Sequence, residues 1–284
     1  MDSTLNLPYL DVRGLLHRYG LRPDKRLGQN FLVDGAALKR VVEIAEIRPQ
    51  DAVLEIGAGL GSLTRYLAIQ ARQVVAVELD ADLLPPLRQV LAPYSNVSLI
   101  EGNILELDLS RLMPEAGYLV VANIPYYITS SLIRHLLEAH RAPRRLVLTV
   151  QREVANRICA QPGDMSLLAL SVQVYGQPKI TAQIPARAFY PAPKIDSAVV
   201  RVDIYPEPIV PHEAIKNLFH LAKAGFSQKR KTLRNALSAG LGCRASQAES
   251  LLTEAAIDAK RRAETLSLPE WATLTEVYNR KQKG

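Results

Sequence analysis

Cysteine is nearly absent: among 284 residues only Cys159 and Cys243 occur, far apart and near no histidine cluster. A structural zinc site needs about four close ligands and is excluded. The usage fits a reducing compartment rather than a disulfide-stapled secreted domain. The five histidines, His17, His135, His140, His212 and His220, show no metal-ligand spacing. The opening residues Met1-Asp2-Ser3-Thr4 carry no apolar run of the secretory kind. The uncharged stretch 117–133 is interrupted by Asn, Pro, Thr and Ser, which argues against a membrane span. No internal repeat, low-complexity tract, nucleophile elbow, phosphate-binding P-loop or HExxH motif occurs. With 48% hydrophobic and 22% charged residues, the expectation is an ordinary globular protein. It is expected to be cytoplasmic and monomeric, without metal or membrane partner.

Positive charge is unevenly placed. Residues 211–284 hold 13 Lys and Arg against 7 Asp and Glu, so they carry +6 of the chain's net +7. A smaller basic group comprises Arg13, Arg18, Arg22, Lys25 and Arg26. Such asymmetry points to a polyanionic partner such as nucleic acid, although a merely solvated basic face gives the same count.

Between residues 50 and 150 short apolar runs alternate with helical patterns. Strands are predicted at 52–56, 73–78, 97–101, 118–122 and 146–150, with helical intervals from Leu60, over 83–91 and over 130–140. This alternation predicts a parallel sheet with helices on both faces. A late strand is predicted at 199–204, followed by Tyr205-Pro-Glu-Pro-Ile-Val-Pro211, whose prolines forbid a helix and mark a linker. Beyond it only helices are predicted, at 213–224, 231–239, 246–255 and 269–279. The expected domains are therefore 1–205, α/β with a basic N-terminal arm, and 206–284, small and all-helical.

Two loops carry chemistry. Glu55-Ile-Gly57-Ala-Gly59-Leu-Gly61 lies between a strand and a helix, where glycines permit positive φ and close ligand approach. Glu78 ends the next strand, 21 residues after Gly57, where a doubly wound fold places a carboxylate for ribose hydroxyls. On these residues alone a nicotinamide-dependent oxidoreductase remains open. The second loop, Asn123-Ile-Pro125-Tyr126-Tyr127, follows the fourth strand. A side-chain amide, a proline carbonyl and an aromatic face together can accept two N–H bonds of an exocyclic amine while a ring stacks on its base.

These residues resemble the adenine-N6 dimethyltransferases of ribosomal RNA. Asn-Ile-Pro-Tyr is similar to the family's signature, and four further stretches agree in order. They are Lys25-Arg26-Leu-Gly28-Gln29-Asn30-Phe31-Leu32, the glycine loop 53–64, Phe189-Tyr-Pro-Ala-Pro-Lys-Ile-Asp-Ser-Ala-Val199, and Phe226-Ser-Gln-Lys-Arg-Lys-Thr-Leu-Arg-Asn235. The resemblance covers about residues 13–280. It is nearest to the small-subunit (16S) type, with the macrolide-resistance type acting on large-subunit RNA as the alternative. It implies a Rossmann-like class I S-adenosylmethionine-dependent methyltransferase fold with a helical RNA-recognition domain. The implied reaction is dimethylation of two adjacent adenosines near the 3′ end of 16S rRNA in the small ribosomal subunit. A non-catalytic assembly factor is the remaining alternative.

By the same resemblance, Asn30 and Leu32 line the methionine end of the cofactor, Gly57 opens its loop and Glu78 binds its ribose. Asn123 meets both cofactor and target amine, beside the Pro125 carbonyl. Tyr126 stacks on the target adenine and Phe189 closes its other face. Arg26, Lys229, Arg230, Lys231 and Arg234 are the implied RNA contacts, the last four expected at a helix start. Ala58 stands where the family usually has proline. Asn103 stands where it usually has an aspartate facing the cofactor's adenine amine; an amide oxygen can still accept that bond, without the charge.

Overall fold

The structure, a computed structural model, describes residues 7–124 and 129–283. Its first elements are α1 (Val12–Arg18), β1 (Phe31–Leu32), α2 (Gly35–Ala45), β2 (Ala52–Ile56), α3 (Ser62–Ala68), β3 (Gln73–Glu78), α4 (Leu84–Leu91) and β4 (Val97–Glu101). There follow α5 (Leu109–Leu112), β5 (Leu119–Asn123), α6 (Thr129–Leu137), β6 (Arg145–Gln151), α7 (Arg152–Ile158), α8 (Leu167–Gln173), β7 (Gly176–Ile184), β8 (Phe189–Tyr190) and β9 (Ser197–Ile204). The last four helices are α9 (Ile215–Phe226), α10 (Leu233–Leu241), α11 (Ala245–Glu254) and α12 (Leu268–Lys283). The chain divides into two compact units, residues 1–155 with 179–204, and residues 156–178 with 205–284.

In the first unit the apolar runs become a sheet of order β4-β3-β2-β5-β6-β9-β7. β2 pairs in parallel with β3 and β5, β3 with β4, and β5 with β6, while β9 runs antiparallel to β6. Val53, Leu54, Val74, Ala76, Leu119, Val120, Val121, Leu146, Val147 and Leu148 are sealed from solvent. Strands covered on both faces need mostly apolar side chains, which is why they read as hydrophobic runs, with Glu55 and Glu78 as buried acidic exceptions. From β2 the chain builds outward to β3 and β4, then returns to lay β5 on the other side of β2. The loops leaving β2 and β5 therefore part at their carboxyl ends, the crevice where open α/β sheets bind ligands.

A second, two-stranded sheet lies apart from this one. β1 and β8 pair antiparallel, Phe31 with Tyr190 and Leu32 with Phe189, and the Val33 and Asp34 N–H groups both donate to the Ala188 carbonyl. Asp34 then caps α2, accepting from the Ala37 N–H at 2.7 Å.

The second unit is helical and centred on Trp271, which is fully buried and stacks on Phe226 at 5.5 Å between ring centroids. Half-buried Phe226 precedes the basic stretch. Two expectations change here. The proline-rich stretch 205–211 forms no helix but is not a free linker. Tyr205 N–H donates to the Tyr175 carbonyl (2.9 Å), Ile209 N–H to the Val174 carbonyl (3.0 Å), and Val210 is buried. Prolines remove the donors at 206, 208 and 211, and two of the donors that remain are used for packing. Secondly, α10 begins at Leu233 behind the N-cap residue Thr232, whose backbone is extended (φ −63°, ψ 154°). Lys229, Arg230 and Lys231 therefore stand in the turn before the helix, not in its first turn.

Candidate active site

The crevice is built from the ends of β2, β3 and β5. After β2 the chain turns through Gly57 (φ 75°) and Gly59 (φ 58°), conformations that favour glycine. A Cβ on Gly59 would stand 3.0 and 3.1 Å from the Phe31 ring, so the loop's close approach to β1 depends on the missing side chain. That approach aims the Gly59 N–H at Glu78, whose Oε2 accepts it at 2.7 Å. Glu78 Oε1 accepts the Asp80 N–H at 2.9 Å. The carboxyl is only 6% exposed, and burial pushes its pKa up against the opposing pull of those two N–H groups.

The segment before β1 closes the crevice. Gln29 Nε2 donates to Asp80 at 2.6 Å while Gln29 Oε1 accepts the Asp24 N–H at 2.8 Å, so one amide joins this segment to the end of β3. Asn30 Nδ2 donates to the Gly28 carbonyl at 3.0 Å. Asn123, the last residue of β5, donates through Nδ2 to the Asn30 carbonyl at 2.9 Å. A carbonyl can only accept, so this bond fixes the orientation of the Asn123 amide. Its Oδ1 accepts no hydrogen bond from any described residue.

A groove results, with Asn30, Gly57, Glu78 and Asn123 all on its wall. Leu27, Phe31, Leu83 and Ile124 add apolar surface to it. Beneath, Glu55 on β2 is 1% exposed and burial raises its pKa to about 8, with the Glu78 charge adding to the shift. It is therefore mostly protonated at neutral pH.

Four of the proposed site residues thus meet. Leu32 and Phe189 do not line the groove: each is 3% exposed, and they share one hydrophobic cluster as the β1–β8 pair. Asn103 is likewise off the groove wall. Its Oδ1 accepts the Leu105 N–H (3.1 Å) and its Nδ2 donates to Glu106 (2.8 Å). Pro125 and Tyr126 lie outside the described residues. Gly59 and Gln29 also line the groove, and each falls within a family-like stretch, the glycine loop and residues 25–32. Leu83 has no sequence signal as a wall residue.

The cationic residues are exposed, apart from Arg234. Arg26 pairs with Asp24 at 2.8 Å and is 91% accessible. Lys229, Arg230 and Lys231 form no ion pair with a described residue, whereas half-buried Arg234 reaches Glu249 at 3.4 Å. In the N-terminal basic group, Arg13 lies over the Tyr190 ring, 4.5 Å from its centroid. Among the described residues no group of three or more His, Cys, Asp and Glu could hold a metal ion, and no helix is long and apolar enough to cross a membrane.

An antiparallel strand, β9, laid between β6 and β7 distinguishes this sheet from the all-parallel dinucleotide-binding version and places the fold among the class I S-adenosylmethionine-dependent methyltransferases. A family model described as ribosomal RNA adenine dimethylase matches residues 21–278, and the chain belongs to that family. A protein of Dehalococcoides mccartyi named ribosomal RNA small subunit methyltransferase A is 44% identical over 268 residues, 94% of this chain and 92% of its own length. Its namesake in Alkaliphilus metalliredigens is 41% identical over 272 residues, 93% of this chain and 95% of its own. The solved 23S rRNA methyltransferase ErmE superposes with a TM-score of 0.71 at 28% identity, covering 88% of this chain and 100% of that one. A dimethyladenosine transferase from Plasmodium falciparum gives 0.76 at 24% identity, over 89% and 98%, a likeness of fold.

Proposed function

We propose that this chain methylates N6 of adenines in small-subunit ribosomal RNA, using S-adenosylmethionine to convert two adjacent adenosines near the 3′ end of 16S rRNA to dimethyladenosine. It acts as a monomer in the cytoplasm, where that RNA is assembled. The carrying observation is the Asn123 amide: its nitrogen is committed to the Asn30 carbonyl, which leaves Oδ1 as an acceptor on the groove wall.

The residues present fit the cofactor. A glycine cradle, in which a Cβ on Gly59 would crowd the Phe31 ring, faces a buried carboxyl group one strand away, and both lie at the topological switch point. Glu78 would hold the ribose, with Asn30, Gly57 and Asn123 around the rest. When bound, S-adenosylmethionine supplies an electrophilic methyl group on its sulfonium.

The protein's own task is to make a poor nucleophile react. The adenine N6 lone pair is delocalised into the ring. Asn123 Oδ1 and the Pro125 carbonyl accept the two N–H bonds of that amine, which favours a pyramidal nitrogen with its lone pair directed outward. Tyr126 and Phe189 hold the base by its faces; for Phe189 this requires β8 to move its ring out of the core. Positioning and electrostatics carry the transfer. No strong base is needed, because the methylated ammonium is acidic enough to lose a proton to water. Arg26, Lys229, Arg230, Lys231 and Arg234 would bind phosphates of the RNA.

The test is methyl transfer from labelled cofactor to unmodified small subunits, with large subunits in parallel, followed by nucleoside analysis. Dimethyladenosine in small-subunit RNA alone is expected. Label only in large-subunit RNA would instead support the macrolide-resistance type, and binding without transfer would support a non-catalytic assembly factor.

A further inference from the structure

The helical unit contains a cleft of about 490 Å3 that has no part in the groove just described. Its volume falls in the range of roughly 300–1,000 Å3 that takes small organic groups. Buried Met165, Leu168 and Ala263, with half-buried Phe226, give it an apolar lining. Gly225 also lines it. A Cβ there would come within 2.9 Å of Trp271 Cη2, so the cleft wall lies directly against the indole.

The rim is polar and mostly cationic. Arg157, Lys223 and Lys229 are exposed and form no ion pair with any described residue. Two acids share the rim, Asp164 and Glu264, and Glu264 is matched by Arg262 at 3.6 Å. The Gln228 side chain, also on the rim, makes no hydrogen bond to a described residue and offers both donors and an acceptor.

We infer that this cleft receives an unstacked nucleotide of single-stranded RNA. A nucleobase has two apolar faces, a polar edge and an attached phosphate. The lining accepts the faces, Gln228 can read the edge, and the three uncommitted cations surround the position of the phosphates. Base–aromatic contact of this kind tolerates sequence, since every base has a π-face. A duplex keeps its bases stacked and cannot enter. The inference rests on the proposed action on ribosomal RNA, and assigns the helical unit a base pocket in addition to phosphate contacts.

Trp271 is the chain's only tryptophan, so its fluorescence reports on the cleft wall. The full-length protein is titrated with a short single-stranded oligoribonucleotide, with the same sequence as a duplex, and with inorganic polyphosphate. The single strand is expected to quench Trp271, while the duplex and polyphosphate leave it unchanged. Lys223→Gln and Arg157→Gln, exposed and without an ion pair to any described residue, should each lower the slope of log affinity against log salt by about 0.7. Quenching by the duplex equal to that by the single strand would overturn the inference, as would single-strand binding that leaves Trp271 unchanged. So would unaltered salt slopes in both variants. If the variants lose affinity for small subunits but no single strand perturbs Trp271, the cleft serves a ribosomal protein and the inference fails. Methyl transfer by the unmodified protein is measured alongside, so that the enzymatic proposal stands or falls separately.

Discussion

The Glu78 carboxylate accepts the Gly59 N–H at 2.7 Å, joining the end of β3 to the glycine loop after β2. One bond thereby sets the spacing between the loop that would admit the cofactor and the carboxylate that would hold its ribose. Glu78→Ala removes a buried carboxyl acceptor and leaves the Gly59 and Asp80 N–H groups without it. Cofactor affinity should fall about 10- to 150-fold, the equivalent of roughly 1.5–3 kcal/mol. Tyr126→Ala, assigned to the target base, should leave it unchanged. Calorimetry separates the two, and equal affinities would remove Glu78 from the cofactor site.

The turn before α10 gives a second expectation. Lys229, Arg230 and Lys231 are exposed and unpaired among the described residues, so they add little to stability and are free for phosphates. Replacing all three with Gln should weaken small-subunit binding and flatten its salt slope by up to about 2–3 units, because each lost contact releases fewer counterions. Cofactor affinity should not change. A folded triple variant with normal subunit affinity at every salt concentration would leave the turn as a solvated face.

Glu55 predicts a pH dependence of stability. Its ordinary pKa near 4.5 in the unfolded chain rises to about 8 when burial on β2 removes it from water. Below pH 4.5 both states hold the proton and folding costs nothing extra. Between 4.5 and 8 the native state keeps a proton that the unfolded state has released, so stability falls as pH rises, by up to about 1.4 kcal/mol per unit. Glu55→Gln mimics the protonated acid and lacks this slope. Urea unfolding at pH 5.5 and 7.5 should show the cofactor-free unmodified protein losing stability relative to the variant. A constant difference would mean that Glu55 is charged throughout.

Much of this was legible from residue type alone. The runs at 52–56 and 73–78 coincide with β2 and β3, whose mostly apolar side chains are buried in the sheet, and the run at 97–101 coincides with β4, a partly exposed edge strand. That Gly57 and Glu78 face one groove is legible from their spacing. β7 leaves no such trace: Gly176-Gln-Pro-Lys-Ile-Thr-Ala-Gln-Ile184 is an edge strand carrying a proline and polar residues, which break the apolar signal. Residues 156–178 group with the C-terminal helices, a placement set by contacts distant in sequence. The Gly163 and Met165 N–H groups, for example, both donate to the Glu264 carbonyl. The Gln29–Asp80 bond spans 51 residues without any periodic trace. Asn103 turned to its own backbone at Leu105, as short amide side chains do in turns.

The most direct measurement is single-turnover methyl transfer by Asn123→Ala, at saturating cofactor and small subunits, beside cofactor affinity and a folding control. Saturation removes the binding contribution and isolates the positioning of the amine. Loss of the Oδ1 acceptor should slow transfer on the order of 100-fold or more, with a much smaller change in cofactor affinity. A folded Asn123→Ala protein that forms dimethyladenosine at the unmodified rate would contradict the assignment of this groove as the active site.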